Sequence, residues 1–101
     1  MPGISFYGLV GLMEAAAVKA LEGQLEAGKT TVGGRIDVQR LAATSVGMTA
    51  HARAELSAVD GRKLPFQVEA WDEVEKIGEA LHERFLVDTE KFVAKIQTKG
   101  K

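Results

Sequence analysis

The chain has 101 residues, of which 46% are hydrophobic and 27% charged, and its net charge is -1 at pH 7. This length and composition predict one globular domain over residues 1–101. That charge, without any basic cluster, argues against a nucleic-acid partner. The absence of cysteine excludes disulfides, thiolate catalysis and thiolate metal sites, and the presence of only two histidines, His51 and His82, argues against a histidine-rich metal site.

The apolar stretch near the N-terminus, ISFYGLVGLM, superficially resembles a signal peptide. No lysine or arginine precedes it, and Glu14 interrupts the approach to any cleavage site, so we do not interpret it as one. No apolar run has the length that a membrane span requires. We therefore expect a cytoplasmic protein that has no membrane partner.

Residues 5–22 are predicted to form a helix, with Ser5 as its N-cap and Gly23 after its end. Because this helix is apolar nearly all round, we expect it to be buried against a sheet. Its one central acid, Glu14, has no residue at helical spacing that can pair with a carboxylate. A desolvated carboxylate finds donors, reaches water or takes up a proton, so Glu14 is either a structurally paired acid or a functional one.

Beyond this helix the hydrophobic pattern changes to the period of two that is typical of strands. Four strands are predicted, over residues 30–41, 48–59, 64–71 and 76–88. The dipeptide Asp60-Gly61 predicts a hairpin between the second and the third. In the first strand, strict alternation places five residues on one face: Val32, Gly34, Ile36, Val38 and Arg40.

The last predicted element is a short C-terminal helix that Thr89 caps and that carries Phe92, Val93 and Ile96. The predicted fold class is therefore α+β, with one buried helix wrapped by an antiparallel sheet of about four strands that follow one another as a meander. Such a sheet has open edges that invite pairing with a second copy of the chain.

The segment GQLEAGKT, residues 23–30, matches the phosphate-binding pattern G-x-x-x-x-G-K-T. That loop requires a strand before it and a helix after it, whereas here the helix comes first. The carboxylate of Glu26 within the loop would also repel phosphate. We interpret this segment as a polar connection between helix and strand.

Four strand residues are candidates for chemistry. His51 lies on the polar face of its strand, which is typical of a solvated surface histidine. His82 and Arg84 share one face of the last strand, so they form either a structural ion-pair site with an acid or a contact with substrate. Arg40 is in phase with the apolar positions of its strand, and it either extends its charge to solvent at the strand end or pairs with Glu14.

The order of segments from about residue 8 to residue 97 resembles the fluoroacetyl-CoA thioesterase family of hotdog-fold proteins. The resemblance is carried by GLVGLMEAAAVKAL, TTVGGRIDVQRLAATSVGM, AELSAVDGRKL, EVEKIGEALHERF and EKFVAKI. It implies a long helix wrapped by an antiparallel sheet, a homodimer whose sheets pair edge to edge, and sites at the subunit interface. It further implies hydrolysis of a short acyl-CoA thioester, in which coenzyme A is part of the substrate and no cofactor is needed.

The resemblance also assigns roles to single residues. The family's catalytic set is a threonine near the helix start, a glutamate on the helix and a histidine on the next strand. Glu14 matches the glutamate. Phe6 stands at the position of the threonine, and Arg40 stands at the position of the histidine. Gly33 matches a glycine beside the acyl pocket, and Arg84 matches an arginine after a His-Glu pair. The chain starts just before the helix, without the first strand and lid-bearing segment that are usual in the family.

These departures leave three interpretations of the site. The first is an acyl-CoA thioesterase. Because arginine and phenylalanine cannot replace the histidine and threonine of the family's set, Glu14 alone would activate water or attack the thioester. Arg84 and His82 would shape its pocket. The alternative is a non-catalytic hotdog module in which Phe6 fills the pocket and Arg40 binds a carboxylate or phosphate. The third is a structural remnant without a ligand. An open pocket at Glu14 favours the first two interpretations, and a pocket plugged by Phe6 favours the third.

Overall fold

A computed structural model describes residues 4–45 and 47–99 of the chain. These residues form two helices and four strands, in the order α1 (Phe6–Ala20), β1 (Lys29–Arg40), β2 (His51–Leu56), β3 (Lys63–Trp71), β4 (Lys76–Asp88) and α2 (Thr89–Lys99). The strands make one antiparallel sheet in the order β1-β4-β3-β2, and α1 packs against one face of it. This arrangement confirms the predicted α+β architecture. The predicted meander is wrong for β1, which pairs with β4 and not with β2.

The helix α1 begins and ends close to its predicted limits. Ser5 has an extended backbone, and its hydroxyl accepts a hydrogen bond of 3.0 Å from the N–H of Gly8, which satisfies one of the free donors at the helix start. Beyond Ala20, Gly23 takes a φ of +75°, in the left-handed region that favours glycine. The two ends of the helix are therefore encoded locally, by one hydroxyl and one glycine.

The buried side of α1 is narrower than its apolar composition predicts. Leu9, Met13 and Ala17 are fully buried against the sheet, whereas Tyr7 is 89% exposed and Val18 is 47% exposed. One sheet covers one side of a helix, so the apolar residues on the far side of α1 lie at the surface of the single chain. Neither α1 nor the other described helix combines the length and the apolarity that crossing a bilayer requires.

The core lies between α1 and the sheet, and β3 contributes to it most regularly. Alternate residues of this strand are buried, as its sequence predicts: Leu64, Phe66, Val68 and Ala70. The turn before β3 is the predicted hairpin. Asp60 and Lys63 exchange two backbone hydrogen bonds of 2.9 and 3.0 Å, and Gly61 between them takes a φ of +61°. The hairpin fixes the register that brings the apolar face of β3 under the helix.

The strand β1 carries a bulge at Gly34, where its register with β4 shifts. Gly33 consequently lies opposite Arg84 on the side that faces the helix, together with Ile36, while Gly34 is turned to the other side. A Cβ atom at Gly34 would collide with the ring of Phe85, so glycine is required there. The strict alternation predicted for this strand, which put Gly34 and Ile36 on one face, is therefore wrong.

The helix α2 is present, but the prediction that Thr89 caps it is wrong. Thr89 is its first residue, and the side chain that caps it belongs to Asp88. Oδ1 of Asp88 accepts a hydrogen bond of 3.2 Å from the N–H of Lys91, and this bond lowers the pKa of the Asp88 carboxyl. The predicted apolar residues Val93 and Ile96 are about half exposed. The helix therefore lies on the surface of the described domain.

The turn between β3 and β4 is held by Asp72, whose Oδ1 accepts the N–H of Val74 at 2.8 Å and that of Glu75 at 2.9 Å. The bond from Glu75, followed by the one from Val74, lowers the pKa of the Asp72 carboxyl. A carboxyl whose pKa is lower in the folded state than in the unfolded state stabilises the fold above its unfolded pKa. That stabilisation is lost as the pH falls through the folded pKa.

We therefore expect the midpoint of urea denaturation to fall as the pH is lowered from about 5 to about 3, and to fall less in Asp72→Asn. Asparagine keeps an acceptor oxygen for the two backbone N–H groups but does not titrate in this range. The measurement compares the two slopes of midpoint against pH. Equal slopes in the two proteins would show that Asp72 does not contribute to the acid sensitivity.

Candidate active site

Glu14 lies on the side of α1 that faces β1 and β4, in the wall of an open cavity of about 230 Å³. The other residues that line this cavity are Gly33, Gly34, Arg35, Ile36 and His82. Glu14 is half-buried, and none of the ion pairs in residues 4–45 and 47–99 involves it. A carboxylate directed into a cavity without a fixed partner favours the functional interpretation over the structural one.

Gly33 forms the floor of the site. A Cβ atom at this position would lie 3.4 Å from Oε2 of Glu14, 3.4 Å from Nη1 of Arg84 and 3.7 Å from Cε1 of His82. Three side chains from two elements therefore converge on the space above one glycine. A ligand atom placed there can contact both a carboxylate and a guanidinium.

Arg84 is only 8% exposed and is anchored by β1. Its Nε donates to Oγ1 of Thr31 at 2.9 Å, and its Nη2 donates to the carbonyl of Thr31 at 3.1 Å. These two bonds fix the plane of the guanidinium and leave Nη1 directed towards Gly33. No acid in the described part of the chain is ion-paired with Arg84, so the arrangement favours a contact with substrate over a structural ion pair.

His82 is buried, with 1% exposure, and each of its ring nitrogens lies near a polar group. Nδ1 lies 2.8 Å from the backbone carbonyl of Arg35, and since a carbonyl only accepts, Nδ1 carries the proton. In the neutral ring Nε2 is then an unprotonated acceptor. Nη1 of Arg84, which only donates, lies 3.4 Å from this nitrogen and is consistent with the same tautomer.

Arg40 and Phe6 lie outside this cavity. Nη2 of Arg40 donates to the carbonyl of Ile4, and its Nε donates to the carbonyl of Ala42 at 3.3 Å, so Arg40 ties the segment before α1 to the end of β1. Of the two alternatives for this residue, pairing with Glu14 is not found among the described ion pairs. Phe6 is 51% exposed and does not plug the cavity. Substrate contacts by these two residues stay predictions.

The second histidine, His51, is exposed, as its position in the strand predicts. Its ring stacks on that of Trp71 with centroids 5.4 Å apart, and the guanidinium of Arg53 lies 5.9 Å from the same indole. Within residues 4–45 and 47–99, no three side chains of histidine, aspartate or glutamate cluster in a way that could hold a metal ion.

Comparison with known proteins relates this arrangement to a protein family. Residues 2–90 match the family described as Fluoroacetyl-CoA-specific thioesterase. A fluoroacetyl-CoA thioesterase from Streptantibioticus cattleyicolor is 45% identical over 91 residues, which are 90% of this chain and 66% of that protein. The chain thus spans slightly less than two thirds of the length of this relative.

Solved structures show the same likeness. A crystal structure of a mutant fluoroacetyl-CoA-specific thioesterase in complex with fluoroacetate and CoA matches with a TM-score of 0.88 and 42% identity, over 96% of this chain and 76% of that one. A hot-dog-like protein from Thermanaerovibrio acidaminovorans matches with a TM-score of 0.90 and 24% identity, over 96% and 72%, and shares the fold. As the resemblance of its sequence predicts, the chain belongs to the fluoroacetyl-CoA-specific thioesterase family and has the hotdog fold.

Proposed function

We propose that this protein hydrolyses the thioester bond of a short acyl-CoA, with Glu14 as base or nucleophile. The observation that carries the proposal is the convergence of Glu14 and Arg84 on the space above Gly33. Membership of the family supports it, because a fluoroacetyl-CoA thioesterase is 45% identical to this chain. Coenzyme A enters as part of the substrate, and the proposed reaction needs no cofactor. A cytoplasmic location, expected from the sequence, is part of the same proposal.

The carboxylate of Glu14 can act in two ways. As a base it accepts a proton from the water that attacks the thioester carbonyl carbon. As a nucleophile it attacks that carbon itself and forms an anhydride, which water then opens. Both routes develop negative charge on the carbonyl oxygen and end with a carboxylic acid and free coenzyme A. Nη1 of Arg84, 3.4 Å from the Cβ position above Gly33, would stabilise that charge.

The residues that depart from the family's catalytic set take no part in this proposed chemistry. The guanidinium of Arg40 is hydrogen-bonded to two backbone carbonyls and does not serve as a base near neutral pH. Phe6 has no hydroxyl, and its side chain is half exposed outside the cavity. These placements also give little support to the non-catalytic alternative, which needs Phe6 inside the pocket and Arg40 free to bind an anion.

The test is thiol release from a panel of acyl-CoA esters of increasing chain length. We expect hydrolysis of the short esters, because the family to which the chain belongs is described by a short acyl-CoA substrate, and the panel shows how the rate changes with chain length. Absence of thiol release from every ester would overturn the proposed activity. Binding of coenzyme A without hydrolysis would then identify the non-catalytic hotdog module.

We also propose a homodimer in which sheets pair edge to edge. In the described structure β1 is an edge strand that pairs with β4 on one side, and it lines the Glu14 cavity. The exposed Tyr7 and Val18 on α1 provide apolar surface that a second copy can cover.

Sedimentation equilibrium is expected to give twice the chain mass of 10.8 kDa. Open strand edges and exposed apolar side chains on one chain favour association with a second copy. A stable monomer at micromolar concentration would contradict the dimer and would leave the site without a contribution from a second subunit.

A further inference from the structure

We propose that Thr31 is a positioning residue for the reaction, whose hydroxyl fixes the direction in which Arg84 presents Nη1 to the substrate. This role rests on the proposed thioester hydrolysis, in which the guanidinium stabilises the charge on the carbonyl oxygen. Thr31 itself would not need to touch the substrate, because it acts through Arg84.

Thr31 lies beside Arg84 on the side of the sheet that faces α1. Arg84 pairs with Gly33 in the ladder between β1 and β4, and Thr31 stands two residues before Gly33, ahead of the bulge. Alternate residues of a strand share one face, so the side chains of Thr31 and Arg84 are diagonal neighbours across the two strands. The register therefore brings Nε of Arg84 within 2.9 Å of Oγ1 of Thr31.

The guanidinium of Arg84 is a buried cation that neutral acceptors hold. None of the ion pairs in residues 4–45 and 47–99 includes it. Its Nε donates to the Thr31 hydroxyl, and its Nη2 donates to the Thr31 carbonyl at 3.1 Å, whereas the contact of Nη1 with Nε2 of His82 is long, at 3.4 Å. Two short bonds from different nitrogens fix the plane of a guanidinium, while one leaves it able to rotate. The hydroxyl therefore decides the orientation, since the carbonyl alone supplies one bond.

Packing alone does not confine this guanidinium. Arg84 borders a second cavity, of about 240 Å³, whose wall also includes Thr31, Leu21 and Leu25. A guanidinium that loses its bond to the hydroxyl can turn into this space and carry Nη1 away from Gly33. The present position of Nη1, 3.4 Å from the Cβ position above Gly33, thus depends on a hydrogen bond.

The test compares Thr31→Val with Thr31→Ser. Valine has the shape of threonine without the acceptor, and serine keeps the acceptor without the methyl group. We expect Thr31→Val to lower kcat for thiol release by about 10-fold and to leave KM within about twofold of wild type, because the charge that Arg84 stabilises develops only in the transition state. Thr31→Ser should keep kcat within about threefold of wild type, since it retains the hydrogen bond.

Thr30→Val is the matched control, because it makes the same change one residue earlier in β1. None of the described hydrogen bonds uses the Thr30 side chain, whereas Thr31 accepts from Nε of Arg84. This variant should have wild-type kcat and KM.

A double-mutant cycle with Arg84→Met separates positioning from a structural role. Methionine fills buried space with an unbranched apolar chain and has no charge to present. We expect Arg84→Met to lower kcat further than Thr31→Val does, and Thr31→Val to cause no additional loss in that background, because no guanidinium is left to orient. A substitution that only loosened the strand would lower kcat by the same factor in both backgrounds. Urea denaturation checks that each variant is folded in the assay.

A spectroscopic readout is independent of activity. The Nε–H of Arg84, buried and hydrogen-bonded, should give a slowly exchanging ¹H–¹⁵N signal in the wild-type protein and in Thr31→Ser. The signal should lose its protection in Thr31→Val, and its absence from Arg84→Met assigns it. This readout also decides the case in which turnover by Arg84→Met is too slow to measure.

Wild-type kcat in a folded Thr31→Val would overturn the role of Thr31 and leave the proposed hydrolysis standing. An equal loss in Thr31→Ser, or an equal further loss in the Arg84→Met background, would do the same. Unchanged protection of Nε–H in Thr31→Val would overturn the anchoring of Arg84 by the hydroxyl. Absence of hydrolysis by the wild-type protein would instead overturn the proposed function itself.

Discussion

Glu14→Gln is expected to lower kcat/KM for thiol release by about 10²–10⁴-fold, the range typical of losing a catalytic acid–base group or nucleophile. Glutamine has the same shape and can line the same cavity, but it neither attacks a carbonyl nor accepts a proton. The fold should be preserved, because none of the described hydrogen bonds or ion pairs uses the Glu14 carboxylate. The measurement pairs the thiol-release assay with the midpoint of urea denaturation.

The matched control for this substitution is Glu26→Gln, in the exposed loop between α1 and β1. It removes one negative charge of the same kind without touching the cavity, and it should change neither activity nor stability. Wild-type activity in Glu14→Gln would exclude Glu14 from both proposed routes. A large loss of stability in the same variant would show that its carboxylate has a structural role instead.

The second large effect is expected for Gly33→Ala, which should lower kcat/KM by about 10²-fold while leaving the fold intact. The added methyl group would lie 3.4 Å from Oε2 of Glu14 and from Nη1 of Arg84, which is ordinary contact without collision. The backbone of Gly33 is not in the left-handed region, so alanine is not strained there. The same methyl group, however, occupies the space in which we place the reacting atoms of the substrate.

Gly11→Ala provides the control for this prediction. Gly11 lies within α1, and a Cβ atom there meets no atom within 4 Å. Alanine in a helix interior is favoured over glycine by about 0.5–1 kcal/mol, so this variant should be slightly more stable and equally active. Because Gly11 lies on the same side of α1 as Tyr7 and Val18, sedimentation of the variant checks that its oligomeric state is that of wild type. Full activity of Gly33→Ala would show that substrate does not use the space above Gly33.

Features that depend on local chemistry could be predicted from the sequence. The helix start at Ser5, the hairpin at Asp60-Gly61 and the buried face of β3 each follow from residues that are neighbours in the chain. Glu14 and Arg84 follow from the residues themselves, resemblance to the family adds Gly33, and the structure brings these three together. Their roles in a reaction are what the substitutions above are designed to test.

Features that depend on distant contacts could not be predicted. Thr31, which anchors Arg84 through two hydrogen bonds, was not selected, because strict alternation placed it on the face opposite Ile36. The bulge at Gly34 moves it to the same side, and a count of alternating residues does not detect one extra residue. The partner of Arg40 could not be found either, since the carbonyl of Ile4 lies 36 positions earlier in the chain.

The bulge in β1 has a consequence for how such a site can diverge. Gly33 pairs with Arg84 and Arg35 pairs with Glu83, so these become consecutive pairs of a regular ladder if the intervening residue is lost. Deletion of Gly34 would therefore leave the composition of the hydrophobic core unchanged and would alter the curvature of the strand that lines the cavity. During evolution, gain or loss of one residue in β1 can therefore change the shape of the Glu14 cavity without a change in the hydrophobic core.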